Sequence, residues 1–224
     1  METRHRGWGL VCRRQCWVPS WRGWLLALGA FLLLGYTGLH GIYPFLAVDT
    51  RVPGGVLVVE GWAPDYALAV AAREFREHPY QRLYVTGGSL ERGVPLSEYG
   101  TYADLGAAIV RRLGVRPEDV QSVPGPAVQR DRTYAAALAL KRWLADHDLR
   151  ATNCQVISVG AHTRRTRLLF EKALGREVSV GVIAVEDQDY DSRHWWRSSQ
   201  GFRVVSGELL AYGYARLWFH PPAE

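Results

Sequence analysis

The sequence predicts an α/β protein: a three-layer, doubly wound, mostly parallel sheet of about five strands, preceded by one N-terminal transmembrane helix. Three observations carry this. Short, continuous apolar runs alternate with longer segments of helical periodicity from residue 56 onward. Most of the runs end in a polar or glycine-rich turn, as buried parallel strands do at their carboxyl ends. Finally, residues 23–48 form a stretch of 26 residues without a single Lys, Arg, Asp or Glu.

Composition fits that class. A length of 224 residues suits one ordinary domain with an appendage. Hydrophobic residues make up 48%, enough for a large core, which excludes global disorder. The net charge of +5 is unevenly placed. Arg4, Arg6, Arg13, Arg14 and Arg22 oppose only Glu2 in residues 1–23, so the rest is nearly neutral. No nucleic-acid partner is expected from such a domain. Cys12 and Cys16 form one isolated C-x-x-x-C pair and Cys154 stands alone; they read as unpaired thiols.

The apolar stretch is the first element. As a helix, 26 residues extend about 39 Å, more than the ~30 Å of a hydrocarbon core. Trp21, Trp24, Tyr36 and Tyr43 sit near its ends, where amphipathic rings favour the interface. The five arginines precede it and Asp49 follows. The positive-inside rule then reads 1–23 as a basic cytoplasmic tail and 24–48 as a single anchor in the plasma (inner) membrane. Residues 49–224 become an extracytoplasmic domain. A cleaved signal peptide would need a shorter apolar region ending in a small-x-small site, and "TGLHGIYPFLAV" offers no clean one.

After a short linker (49–55), "VLVVEG" (56–61) reads as a strand buried on both faces. Residues 64–78 have helical spacing with Pro64 and Asp65 at the start. "RLYVTGG" (82–88) is the second strand, and residues 97–114 form a helix closing on Gly114. A turn and a short third strand follow in 115–126. Residues 131–147 are an Ala/Leu-rich helix. "QVISVGAH" (155–162) is the fourth strand, 163–175 its helix, and 178–186 the fifth strand. The tail is partly helical from about Phe202. Its aromatics suit either a core helix over the sheet or a membrane-surface segment.

In such sheets ligands bind beyond the carboxyl ends of the strands. That rule nominates Glu60 to Asp65, Thr86 to Ser89 with Gly87 and Gly88 between them, Pro124 to Arg132 including Asp131, His162 to Arg167 with its arginines, and Glu186 to Asp189. Gly87 and Gly88 allow close backbone approach, with N–H groups free to hold an oxyanion; the plain alternative is a strand-end turn. No P-loop or G-x-G-x-x-G pattern follows them, which disfavours ATP and dinucleotides. Ser97 reads as an N-cap and Glu98 as the second helical residue, either complementing the dipole or serving as a general acid/base. Asp131 and Thr133 read as helix caps or rim residues. His162 leads Arg164, Arg165 and Arg167 into a helix. Three cations at a helix N-terminus oppose its dipole, which points to a bound anion; the alternative is a solvated basic face. His162 has Glu60, Glu98 and Asp131 as candidate neighbours, but no metal-ligand spacing and no G-x-S-x-G elbow is present.

The ordered set "VLVVEGWAPDYAL", "RLYVTGG", "SEYGTYADLGAAIVRRLGV", "DRTYAAALALKRWL" and "VISVGAHTRRTRLLFEKALG" resembles the ElyC/SanA/YdcF family (the DUF-218 class) over residues 55–190. The family's motifs fall on Gly87-Gly88, Glu98, Thr133, and His162 with Arg165. The resemblance implies a Rossmann-like fold, an N-terminal anchor in some members, and a role in envelope, peptidoglycan or lipid-carrier metabolism. It fixes no cofactor and no reaction. Where many members carry Glu-Asn, this chain has Ala135-Ala136, and Arg164 is additional.

The expected function is thus a membrane-anchored envelope protein that binds a phosphate-bearing or lipid-linked intermediate. Gly87, Gly88 and Arg165, with Arg164, would hold the anion; Glu98 and His162 would supply acid/base chemistry. One alternative is a non-catalytic binding or regulatory module, which the Ala135-Ala136 replacement favours. The other is a binder of S-adenosylmethionine or a nucleotide, which an outward-facing domain disfavours.

Overall fold

The computed structural model describes residues 5–6, 11–12, 19–90 and 97–221. They divide into two compact units, Met1–Leu39 and His40–Glu224. The first holds a two-residue antiparallel pairing, His5–Arg6 with Val11–Cys12, and most of helix α1 (Trp21–Leu46). α1 is long and apolar enough to cross a membrane. Its side chains up to Leu34 are almost all exposed, which an apolar helix tolerates only in lipid or against a partner. Arg4, Arg13 and Arg14 of the expected tail lie outside the described residues.

The second unit is built on five parallel strands: β1 (Val56–Glu60), β2 (Arg82–Gly87), β3 (Val120–Pro124), β4 (Asn153–Val159) and β5 (Ser179–Val185). Their order is β3-β2-β1-β4-β5. The intervening helices are α2 (Asp65–Glu77), α3 (Tyr102–Arg112), α4 (Arg132–Asp146) and α5 (Thr163–Leu174). A last helix, α6 (Ser199–Leu217), follows a 3₁₀ segment, Ser192–Arg197. The α/β class, the doubly wound sheet and the apolar N-terminal helix are therefore as the sequence predicts.

Strand alternation divides the core. Leu57, Val59, Leu83, Val85, Ile157 and Val159 pack with α2 and α3. Val56, Val58, Tyr84, Cys154 and Val156 pack with α4 and α5. The same period carries Glu60, Thr86 and Ser158, the next residues on the second face, to the carboxyl end of the α4/α5 layer. There the apolar layer gives way to polar side chains. β1 and β4 are adjacent although the chain winds outward from them in opposite directions, so their carboxyl ends form the topological switch point.

Three local expectations change. Residues 97–101 are not helical: Ser89 bridges Thr101, Gly88 O accepts from Tyr102 N, and α3 starts only at Tyr102. Its N-cap is Thr101, whose side chain accepts from Asp104 N at 3.1 Å; Ser97 Oγ accepts from Tyr99 N instead. Residues 49–55 are not a free linker. Thr50 pairs with Val182 on the outer edge of β5, and Val52 N donates to Gln155 Oε1 at 2.8 Å. This covers part of an otherwise open sheet edge. The final helix begins at Ser199, three residues before the expected start, because Ser198 caps it by accepting from Gly201 N.

Candidate functional site

β1 ends on Glu60, which is 2% exposed despite its charge. Across the switch point, β4 runs into a 3₁₀ turn, Gly160–His162, made possible by Gly160 at φ 44°. The turn brings His162 over the end of β1, with Nε2 3.5 Å from Glu60 Oε2. That is an ion-pair separation, longer than a well-aligned hydrogen bond. On the other side of the ring Nδ1 stands 3.0 Å from Glu208 Oε1, on α6. Arg165 clamps the same carboxylate, Nε to Oε2 at 2.8 Å and Nη2 to Oε1 at 2.9 Å. Glu60, His162, Glu208 and Arg165 thus form one line of alternating charge from β1 to α6.

Two carboxylates flank one imidazole. Burial opposes charge on His162, but the hydrogen bond to Glu208 and the negative charges of Glu208 and Glu60 prevail and raise its pKa to about 9. The ring is therefore an imidazolium at neutral pH, with Nδ1–H donating to Glu208. Arg165 Nη2 lies 2.9 Å from Nδ1 as a second donor to the same oxygen. Burial pushes Glu208 up, yet His162 and Arg165 hold it down at about 2. Glu60 is also pushed up by burial; His162, Trp62 and Thr133 outweigh this and leave it below the ordinary carboxylate range. Thr166 Oγ1 lies 3.5 Å from Glu60 Oε2 and 3.1 Å from Ser158 Oγ, closing the floor. Trp62 stands edge-on to the His162 ring, centroids 5.2 Å apart, and is 43% exposed. Among the described residues, His162 Nε2 and Thr86 Oγ1 are buried without a hydrogen-bond partner. Thr86 is the register partner of Glu60, so both atoms belong to this cluster.

The chain matches no family model and no curated protein.

The structure brings together Glu60, Thr133, His162 and Arg165 from the residues the sequence nominates. Glu98 is not among them. It is exposed, beside Tyr99 and the Leu105, Ile109 and Arg112 side of α3. Gly87 and Gly88 serve packing. A Cβ on Gly87 would lie 2.8 Å from Tyr102 Cβ and 3.0 Å from Ala103 N, and Gly87 O accepts from Gly125 N at 2.9 Å. Asp131 is exposed in the left-handed region at φ 52°, and its side chain does not cap α4.

The three arginines also find partners within the chain. Arg165 has Glu208, Arg167 has Glu171 at 2.8 Å, and Arg164 donates to Phe45 O with its guanidinium 4.1 Å above the Phe45 ring. The three cations at this helix start are therefore already matched, by groups of α1, α5 and α6, and do not require a bound anion. Trp62, Thr86 and Thr166 fall inside the nominated ranges 60–65, 86–89 and 162–167, and Glu208 lies outside all of them. No local pattern marks Glu208, which reaches the site only through tertiary packing.

Proposed function

We propose that the protein is a single-pass, membrane-anchored member of the ElyC/SanA/YdcF type, with its domain outside the cytoplasm. In this reading the domain binds a phosphate-bearing intermediate of cell-envelope or lipid-carrier metabolism at the β1–β4 switch point. The observation that carries the site is the pair of buried polar atoms without a hydrogen bond, His162 Nε2 and Thr86 Oγ1, beside Glu60. Buried polar atoms in native proteins are normally satisfied, so a ligand group there would complete both. α4 begins at this edge without a side-chain cap, which leaves N–H groups favourable to an anion. The imidazolium adds a positive charge. A groove of about 570 Å³ runs from Asp131 along α4 past Leu138, Trp143 and Phe219, and its apolar lining suits the hydrocarbon part of a lipid-linked ligand.

Turnover, in this reading, uses His162 as the proton donor through Nε2, with Nδ1 held by Glu208 and Glu60 taking the conjugate role. Glu60 replaces Glu98 as the carboxylate partner. A second reading has its own observation. The four charges of Glu60, His162, Glu208 and Arg165 already pair with one another, as they would in a structural latch of a non-catalytic binding module.

The full chain in detergent is the material for the test, because Leu46 is fully buried in the domain. Its melting temperature is scanned against phosphate, pyrophosphate, nucleotide sugars, S-adenosylmethionine and short polyprenyl phosphates. A ligand at 100 times its dissociation constant stabilises by about 2.7 kcal/mol. A shift with a phosphate compound that His162→Gln and Thr86→Val abolish is expected. A shift confined to S-adenosylmethionine would replace this reading, and no shift at all would leave the latch.

A further inference from the structure

We propose that α6 and the 3₁₀ segment before it form a second membrane attachment, lying on an anionic lipid surface. The proposal rests on α1 crossing the membrane. α6 carries apolar side chains around much of its circumference, and several of them are left outside the domain's packing. Gly201, Val205, Glu208 and Ala215 face the domain, while Phe202, Leu210, Tyr214 and Leu217 are 51–75% exposed. At 100° per residue these four fall within a sector of about 120°. Trp218, 68% exposed, extends the same surface. Such a stripe is costly in water and marks a partner.

Charge identifies the partner. Arg193, Arg197, Arg203 and Arg216 are exposed on this segment. Glu208, the one acidic residue of α6, is turned inward onto Arg165. Exposed apolar and aromatic side chains with arginines among and beside them, Arg203 falling between Leu210 and Tyr214, suit the headgroup boundary of a bilayer containing anionic lipid.

The tether supplies the third argument. The end of α1 rests on this same segment: the His40 ring is 4.7 Å from that of Trp196, and the Phe45 ring 5.6 Å from that of Tyr212. His40 and Phe45 are little more than one turn apart on α1. Trp196 precedes α6 and Tyr212 lies in its fourth turn, so this stretch touches the last two turns of α1. A segment tied to the end of a spanning helix is kept at high effective concentration near the bilayer surface.

Site-directed spin labelling of the full chain tests this, in a Cys12→Ser, Cys16→Ser background with Cys154 buried. Nitroxides are placed singly by Leu28→Cys, Leu210→Cys, Leu217→Cys and Arg73→Cys. The protein is reconstituted in phosphatidylcholine vesicles with and without phosphatidylglycerol, and relaxation by oxygen is compared with relaxation by a water-soluble nickel chelate. In phosphatidylglycerol-containing vesicles the labels at 210 and 217 are expected to favour oxygen, at a depth intermediate between 28 and 73. Arg197→Glu with Arg203→Glu should shift them toward the aqueous value. Labels at 210 and 217 matching 73 while 28 is immersed would overturn the proposal alone. A label at 28 that matches 73 would overturn the anchor reading with it. Spin–spin broadening at 210 would assign the stripe to a second copy of the chain and also overturn it.

Discussion

Glu208 sets the state of two basic side chains at once. It neutralises Arg165 and holds Nδ1 of His162, so His162 stays charged although it is only 8% exposed. The folded pKa of His162, about 9, lies above its ordinary 6.5. The stability this adds is fully present below pH 6.5 and is lost as pH rises through 9, on the order of 3 kcal/mol in all. Melting temperature should therefore fall between pH 7 and 10 in the wild type, and much less steeply in His162→Gln. Glu208 works in the other direction: its depressed pKa stabilises above pH 4.5, and that contribution fades as pH falls toward 2. Glu208→Gln leaves Arg165 facing a neutral partner in a mostly buried position and should cost about 3 kcal/mol by chemical denaturation. His162 and Arg165 were legible in the sequence because they directly follow the carboxyl end of β4. Glu208 was not, since it lies 43 residues beyond Arg165 in a helix with no motif.

The elements were legible where burial fixes a period, and illegible where one backbone contact overrides it. α3 illustrates both. Its apolar spacing marks a helix, yet Gly88 captures Tyr102 N and postpones the start by five residues relative to 97. α3 then presses against the sheet through glycines. A Cβ on Gly106 would stand 2.9 Å from Gly61 Cα and 2.9 Å from Val85 Cγ1. Helix propensity alone favours Gly106→Ala by about 1 kcal/mol. The contact predicts the opposite sign, a loss of about 1–3 kcal/mol, because α3 must lift off β1 and β2. Equilibrium urea unfolding reads the sign directly. On the other face, Leu140→Ala opens a cavity between α4 and the sheet and should cost about 2–5 kcal/mol.

At the scale of the molecule, the boundary between the apolar helical unit and the domain does not coincide with the change in hydropathy. The apolar run ends at Val48, but His40 already belongs to the domain unit, and Leu46 is completely buried there. Composition locates where apolarity stops and is silent on which part of a helix a fold will absorb. A chain beginning at His40 should keep the domain's denaturation midpoint, whereas one beginning at Asp49 should lose about 2–3 kcal/mol with the Leu46 side chain. The reach of Glu208 matters at this scale too. α6 is the last helix among the described residues, and its one acidic side chain clasps the ring that faces Glu60. Loosening the helix discharges the ring, and discharging the ring loosens the helix. By reciprocity, any ligand that prefers the charged imidazole tightens the seat of α6 by the same free energy. The innermost proton and the outermost helix are two handles on one equilibrium.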